Sequence, residues 1–213
     1  MFYETKNPHG LPHDPFKSCL VPRLIGWIST ISPDGVVNLA PYSFFQGIAT
    51  DPPMVMFVSI GDQPHGPKDT VTNIEATGEF VCNMSTWDLR NQMNVSCAAV
   101  PAEVDEMEIA GLEKEPSVLV KPPRVKASPI HLECTHYQTL DLPSNNPKHK
   151  QTMVMGYVVG VHIRDEVLKD GIVDIAKVRP IARMGYMDYS VVNEVFTMLR
   201  PSRENVMAVE EAE

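Results

Sequence analysis

A lysine, an acid and a threonine stand together at Lys68-Asp69-Thr70, with Asn73 one helical turn further on. Lys68 supplies a point charge and Thr70 a hydroxyl. A helix starting here adds free N–H groups and a favourable dipole, a combination that suits a phosphate. Ser29 and Thr30, at the end of an apolar run, offer further donors to the same anion. The stretch Asn38-Leu39-Ala40-Pro41-Tyr42-Ser43 carries amide, phenol and hydroxyl groups where a core strand would carry Val or Leu. A polar elbow beside apolar strands gives a planar heteroaromatic ligand flat walls and a few fixed hydrogen-bond partners. Trp27 would extend the wall. Each residue also has an ordinary structural reading: Trp27 as a core aromatic, Ser29 and Thr30 as strand and turn hydroxyls, Asn38 as a turn residue, and Lys68 as a neighbour of a capped helix start.

Other chemistries find less support. His9 and His13 are four apart, but Gly10 and Pro12 forbid the helix that a metal pair at that spacing needs. His131 and His136 have opposite parity on a strand, so the reading is no metal site. Cys19, Cys82, Cys97 and Cys134 form no C-x-x-C pair and are expected to be reduced and mostly buried. The chain has no G-x-G-x-x-G, no G-x-x-x-x-G-K-[ST] and no G-x-S-x-G, which argues against a Rossmann domain, a P-loop and an α/β-hydrolase.

The elements that must position these residues are mostly strands. Leu24 to Ile31 is β-branched and aromatic, and Ser32-Pro33-Asp34-Gly35 is a turn in which Pro sets φ and Gly supplies φ > 0. Met54 to Ile60, Glu79 to Met84, Ser128 to Tyr137 and Met153 to Ile163 read as strands. Asp170-Gly171 turns the chain into a further strand expected over 172–178. Lys68 to Thr77 reads as a short helix, capped by Asp69 or Thr70 and ended by Gly78. Thr86 to Ala98 reads as a second helix, and Val104 to Leu112 as a short acidic helix or turn. Short strands separated by turns predict a mainly β fold, a barrel with a few peripheral helices.

Composition bounds the partners. The 213 residues suit one domain, and nineteen prolines favour turns over long helices. A net charge of −9 argues against nucleic acid or an anionic membrane, while leaving room for a locally basic pocket. No apolar stretch approaches a membrane span, and the N-terminus has no secretory h-region, so the expected location is the cytoplasm.

The run Pro22-Arg23-Leu24-Ile25-Gly26-Trp27-Ile28-Ser29-Thr30, then Asp34-Gly35, Asn38 to Phe45 and Asp51-Pro52-Pro53, resembles the flavin reductase-like, FMN-binding split-barrel family, to which flavoredoxin belongs. The likeness continues through Lys68-Asp69-Thr70, Gly78 to Asn83, Val104-Asp105-Glu106, Ser128 to Cys134, Gly156 to His162 and Ile181 to Tyr186. The resemblance implies a six-stranded antiparallel Greek-key split β-barrel over residues 1–203, with 204–213 as a polar acidic tail. It also implies a homodimer with FMN near the interface.

Carried over by position, Ser29, Thr30, Lys68 and Thr70 are implied phosphate and ribityl contacts. Asn38, Ala40, Pro41, Tyr42 and Ser43 are implied at the isoalloxazine, with Trp27 and Asn73 in second rank. Arg183 matches a recurrent position without an assigned role. The implied reaction is hydride transfer from NAD(P)H to flavin, in which the cofactor carries the chemistry and no catalytic side chain is required. His162 is a candidate nicotinamide neighbour, with an ordinary strand histidine as the alternative. The chain departs from the family pattern at Arg23-Leu24-Ile25, where many relatives have Arg-Pro-Ile, and in a long polar loop at Leu142 to Lys150. Competing readings are an FMN-binding electron carrier without NAD(P)H turnover, a flavoenzyme acting on another small substrate, and a scaffold without cofactor.

Overall fold

The turn at Ser32–Gly35 closes the first hairpin as its residues dictate. Ser32 Oγ accepts the Val36 N–H (3.0 Å), and Gly35 takes φ +88°. In the computed structural model, which describes residues 1–63, 66–146 and 149–202, that hairpin joins β1 (Gly26–Ile31) to β2 (Val37–Tyr42). Next come β3 (Phe45–Thr50) and β4 (Pro53–Ile60), helix α1 (Asp69–Thr77) and β5 (Glu79–Met84). Helices α2 (Arg90–Val95) and α3 (Glu106–Ile109) precede a small ribbon of β6 (Lys114–Glu115) and β7 (Arg124–Val125). A long hairpin follows, β8 (Ile130–Leu142) with β9 (Gln151–Ile163). The described chain closes with β10 (Leu168–Lys169), β11 (Ile172–Val173), α4 (Ile175–Val178), β12 (Ile181–Arg183) and β13 (Tyr189–Val191).

The main sheet is antiparallel throughout, in the order β2-β1-β5-β8-β9-β4-β3. Its two edge strands, β2 and β3, are separated in sequence only by Ser43 and Phe44. A link that short spans at most about 11 Å. The sheet must therefore curl until its edges meet at that corner, although β2 and β3 do not pair. A barrel closed at one corner and open along its seam is a split barrel.

Strand parity divides the apolar residues into two cores. Ile28, Phe57, Phe80, Cys82, Cys134 and Val154 fill the barrel interior, and Val71 and Ile74 of α1 pack against them. Trp27, Leu39, Met93, Met107 and Ile181 form a second core between the outer face of β1–β2 and the segments laid over it. Inside the barrel the walls approach closely. A Cβ on Gly156 would stand 2.5 Å from the Phe80 ring and 2.8 Å from the Thr135 carbonyl oxygen, so only glycine fits there.

Four details differ from the sequence expectation. The sheet has seven strands rather than six, and Phe45–Thr50, to which the sequence assigned no element, is a strand paired with β4. Asn38–Tyr42 is itself strand, with its polar groups turned into the protein. The helix expected over 86–98 is confined to Arg90–Val95: Ser96 Oγ turns back to the Met93 carbonyl (2.8 Å), a local bond that competes with helix continuation. The strand expected over 172–178 ends at Val173, where Asp174 accepts the Lys177 N–H and starts a helical turn. The tail 204–213 lies outside the described residues.

Candidate functional site

The corner where β2 leaves the sheet is also a concavity that gathers basic side chains of this acidic chain. Two cavities, of about 300 and 230 Å3, adjoin there and share Pro41 and Cys97 in their walls. Together they reach the size of a small-molecule site. One is bounded by Ala40, Tyr42 and Lys68, the other by Ser43, Arg23 and Arg183. Asp62 and Glu106 also line the Lys68 cavity, so β2 runs between an end of mixed charge and an end that carries three basic side chains, Lys17 included.

At the first end, Lys68 precedes α1 and caps it through its carbonyl oxygen, which accepts the Val71 and Thr72 N–H groups; no side-chain cap is made. The ammonium is therefore free of the helix and lies 5.5 Å from the centre of the Tyr42 ring. Partial burial lowers its pKa. The Tyr42 ring belongs to the barrel core and packs on Phe57 at 4.6 Å. Burial raises the phenol pKa, and its oxygen has no well-formed partner among the described residues, although the Thr70 and Ser59 hydroxyls lie beside it.

Glu106 lines the same cavity from α3. Its carboxylate accepts the Leu39 N–H (2.9 Å), satisfying a backbone donor on the edge strand, and burial pushes its pKa up to about 7. Between the ordinary carboxyl pKa and about 7 the folded chain keeps a proton that the unfolded chain has lost, so this group makes stability fall as pH rises through that window. His131 acts oppositely: burial pushes it down to about 4, so its contribution to stability rises with pH up to its ordinary value. The Glu106→Gln variant keeps an acceptor for Leu39 and isolates the first effect. Denaturant unfolding is expected to show the variant gaining about 1–3 kcal/mol relative to wild type between pH 5 and pH 8. Parallel stability curves for the two chains would contradict this.

At the second end, Arg23 and Arg183 form a backbone bridge, each donating its N–H to the other's carbonyl at 3.0 Å. Arg23 also donates to the Leu20 and Lys17 carbonyls, and Arg183 to the Tyr186 carbonyl and the Tyr189 phenol. The guanidiniums are held by neutral acceptors.

The polar residues read from the sequence separate into distinct groups. Thr30, Asn38, Thr70 and Asn73 come together inside the barrel. Asn38 Nδ2 donates to Thr30 Oγ1 (3.2 Å) and Thr70 Oγ1 (2.8 Å), and Asn73 Nδ2 donates to Thr30 Oγ1 (3.1 Å). All four are buried, so this network fixes α1 to the first hairpin beneath the Lys68 end. Ser29, of opposite parity, donates instead to the Pro123 carbonyl (2.6 Å) and is also buried. Trp27 is fully enclosed in the second core and donates from Nε1 to Ser96 Oγ (2.9 Å). Ala40, Pro41, Tyr42, Ser43 and Lys68 line the paired cavities. His162 borders a different cavity with His131, Arg124 and Arg164, and pairs with the fully buried Glu133, which also accepts the N–H groups of Val118, Leu119 and Val120. The described part of the 142–150 loop reaches the Lys68 end: His149 lies against Gly61, and Lys150 borders a small cavity beside Lys68.

Residues 18–183 match the family model for the flavin reductase like domain. The chain belongs to the flavin reductase-like family. An uncharacterized protein of Aquifex aeolicus is 37% identical over 167 residues, covering 78% of this chain and 82% of the relative. Nitrilotriacetate monooxygenase component B from Bacillus cereus superposes with a TM-score of 0.82 at 26% identity, covering 93% of this chain and 98% of that one. The 2-nitrobenzoate 2-nitroreductase NbaA of Pseudomonas fluorescens gives 0.81 at 24% identity, covering 95% and 97%, a likeness of fold. The mainly β split barrel of this flavin reductase-like chain is thus the family's architecture. No helix among its described residues is long and apolar enough to cross a membrane.

Lys17, Arg23, Cys97 and Glu106 are site-lining residues that the sequence alone does not single out. Arg23 and Arg183 both lie in motifs that carry the resemblance, yet they are 160 positions apart, and nothing in a single sequence pairs them. Cys19 and Cys97 depart from the expectation of mostly buried thiols, and Cys97 is the one at the site. It is exposed, unlike Cys82 and Cys134, and stands where the two cavities meet.

Proposed function

We propose that this chain binds FMN along the β2 corner and acts as a flavin reductase-like oxidoreductase, with NAD(P)H as hydride donor and a second small molecule as acceptor. The observation that carries this reading is the concavity along Ala40–Ser43, which gathers Lys17, Arg23, Lys68 and Arg183 in a chain whose net charge is −9. The donor set suits such a ligand. Lys68, with Asp62 and Glu106 in the same wall, offers an ammonium to a phosphate; Pro41 and Ala40 give a flat wall, and the Ser43 hydroxyl adds a polar contact. FMN, when bound, supplies the two-electron chemistry. The protein binds and orients it: the Thr30–Asn38–Thr70–Asn73 network holds α1, and therefore Lys68, against β2, while Glu106 fixes the β2 backbone at Leu39.

A homodimer fits the same reading. Ile48, Leu140, Val159 and Val161 are exposed on the barrel strands, and Phe196 and Leu199 project almost fully exposed from the end of the described chain, a display that a second copy would cover.

Visible absorption tests the proposal directly. Purified protein with added FMN is expected to show perturbed flavin bands that bleach on anaerobic addition of NADH or NADPH. Bands that persist would leave an FMN carrier with another donor, and an unperturbed flavin spectrum would remove FMN from the reading.

A further inference from the structure

The adjoining cavities carry basic side chains at both ends, and FMN carries one phosphate. Lys68 stands at one end, balanced by Asp62 and Glu106 in the same wall; Lys17, Arg23 and Arg183 stand at the other, beyond Pro41 and Cys97. No carboxylate is among the described residues that line the arginine end. Its guanidiniums are positioned by the carbonyls of Lys17, Leu20 and Tyr186 and by the Tyr189 phenol, acceptors that fix geometry without cancelling charge. Two guanidiniums in adjacent bridge positions also repel one another. Burial first, and Arg183 second, lower the Arg23 pKa, the direction expected of a cation lacking a counter-charge. In an acidic protein, such an open arrangement leaves the cations available to an anion from solution.

The surroundings narrow the anion. The Arg183 guanidinium lies 4.5 Å over the Tyr189 ring, and Tyr186 completes that side. A planar cation fork backed by aromatic rings recognises a bidentate oxyanion attached to a flat group. The concavity is continuous with the Ala40–Ser43 floor, so an anion held there places the rest of its molecule over that floor.

We infer that Lys17, Arg23 and Arg183 bind the phosphate or carboxylate of the second reactant, while Lys68 takes the phosphate of the flavin. The inference rests on the flavin reading above and deepens it: the non-flavin reactant is an anion, and the arginine end selects it. The shared chemistry is an oxyanion, whose source is either a phosphate-bearing nucleotide donor or a carboxylate-bearing acceptor.

The test uses the FMN-loaded protein and two redox-inert probes, inorganic pyrophosphate and benzoate, with binding read by calorimetry. FMN affinity is read separately by quenching of flavin fluorescence. Arg183→Gln removes one fork. Lys17→Gln changes an exposed side chain and serves as the variant least able to disturb folding. One or both probes are expected to bind the loaded wild type, and each substitution to weaken that binding about tenfold. FMN affinity should stay within about twofold. Stronger binding of pyrophosphate identifies a nucleotide phosphate as the source, and stronger binding of benzoate a carboxylate. The inference is overturned if Arg183→Gln weakens FMN itself as much as Lys68→Ala does, for then the arginine end holds the flavin phosphate. It is equally overturned if neither probe's binding responds to either substitution. Failure of the wild type to take FMN has its own readout and removes the flavin reading on which this inference stands.

Discussion

The Trp27→Ala variant is expected to lose about 3–5 kcal/mol of folding stability, the range for emptying a large aromatic site in a packed core. Trp27 has no accessible surface and packs among Leu39, Met93, Met107 and Ile181. These residues join the outer face of β1–β2 to α2 and α3, so a cavity at Trp27 loosens β2 from the segment that carries Glu106. One hydrogen bond adds to the cost: the indole N–H donates to Ser96 Oγ (2.9 Å), whereas the backbone carbonyl that accepts from Asn83 Nδ2 (3.0 Å) remains in the variant. A domain of ordinary stability has about 5–15 kcal/mol in total, so this one change removes much of it. Trp27→Phe keeps most of the volume and forfeits mainly the Ser96 bond, a loss of about 1–2 kcal/mol. The pair of variants separates a core aromatic from a ligand wall. If Trp27 is core, the Phe variant binds FMN within about twofold of wild type while its denaturation midpoint falls. A large loss of FMN affinity at unchanged stability would put the indole against the ligand instead.

Trp27 also shows where the sequence stops being legible. Its strand is plain from Leu24 to Ile31, but which neighbour covers it depends on contacts with residues such as Ser96, 69 positions away. The same limit explains the polar residues. Thr30, Asn38, Thr70 and Asn73 stand out in the sequence as a polar set, and they do converge, yet they face one another inside the barrel. Residue type reveals hydrogen-bonding capacity, and only the three-dimensional register decides whether a ligand or another side chain uses it. Local signals are more telling. Gly78 ends α1 with φ +75°, and Asp170-Gly171 makes its turn with both residues at positive φ. The extra strand Phe45–Thr50 is hidden because all but its first residue are exposed, so no apolar alternation marks it. The arginine end is hidden because it is built from both ends of the fold: β12 returns late in the chain to pair Arg183 with Arg23.

The Lys68→Ala variant is expected to bind FMN about 10- to 100-fold more weakly than wild type, with riboflavin affinity unchanged. The magnitude is that of removing one charge-assisted hydrogen bond from a partly desolvated site. The position allows a clean substitution. Lys68 caps α1 through its backbone carbonyl, which alanine retains, and its side chain makes no capping bond that alanine would lose. The helix therefore keeps its start, and the Asn38–Thr70 and Asn73–Thr30 bonds keep it on the β1–β2 hairpin. What disappears is the ammonium over the Tyr42 ring, whose partial burial makes it a stronger attractor of an anion than an exposed lysine. Comparing FMN with riboflavin cancels the isoalloxazine and ribityl contributions and leaves the phosphate alone. A parallel loss for both ligands would mean that Lys68 supports the ring wall rather than the phosphate. Equal FMN affinity in variant and wild type would remove Lys68 from the flavin site. Salt supplies an independent check: the FMN affinity of wild type should fall with ionic strength more steeply than that of Lys68→Ala, because only the former neutralises the phosphate with a mobile-ion competitor present.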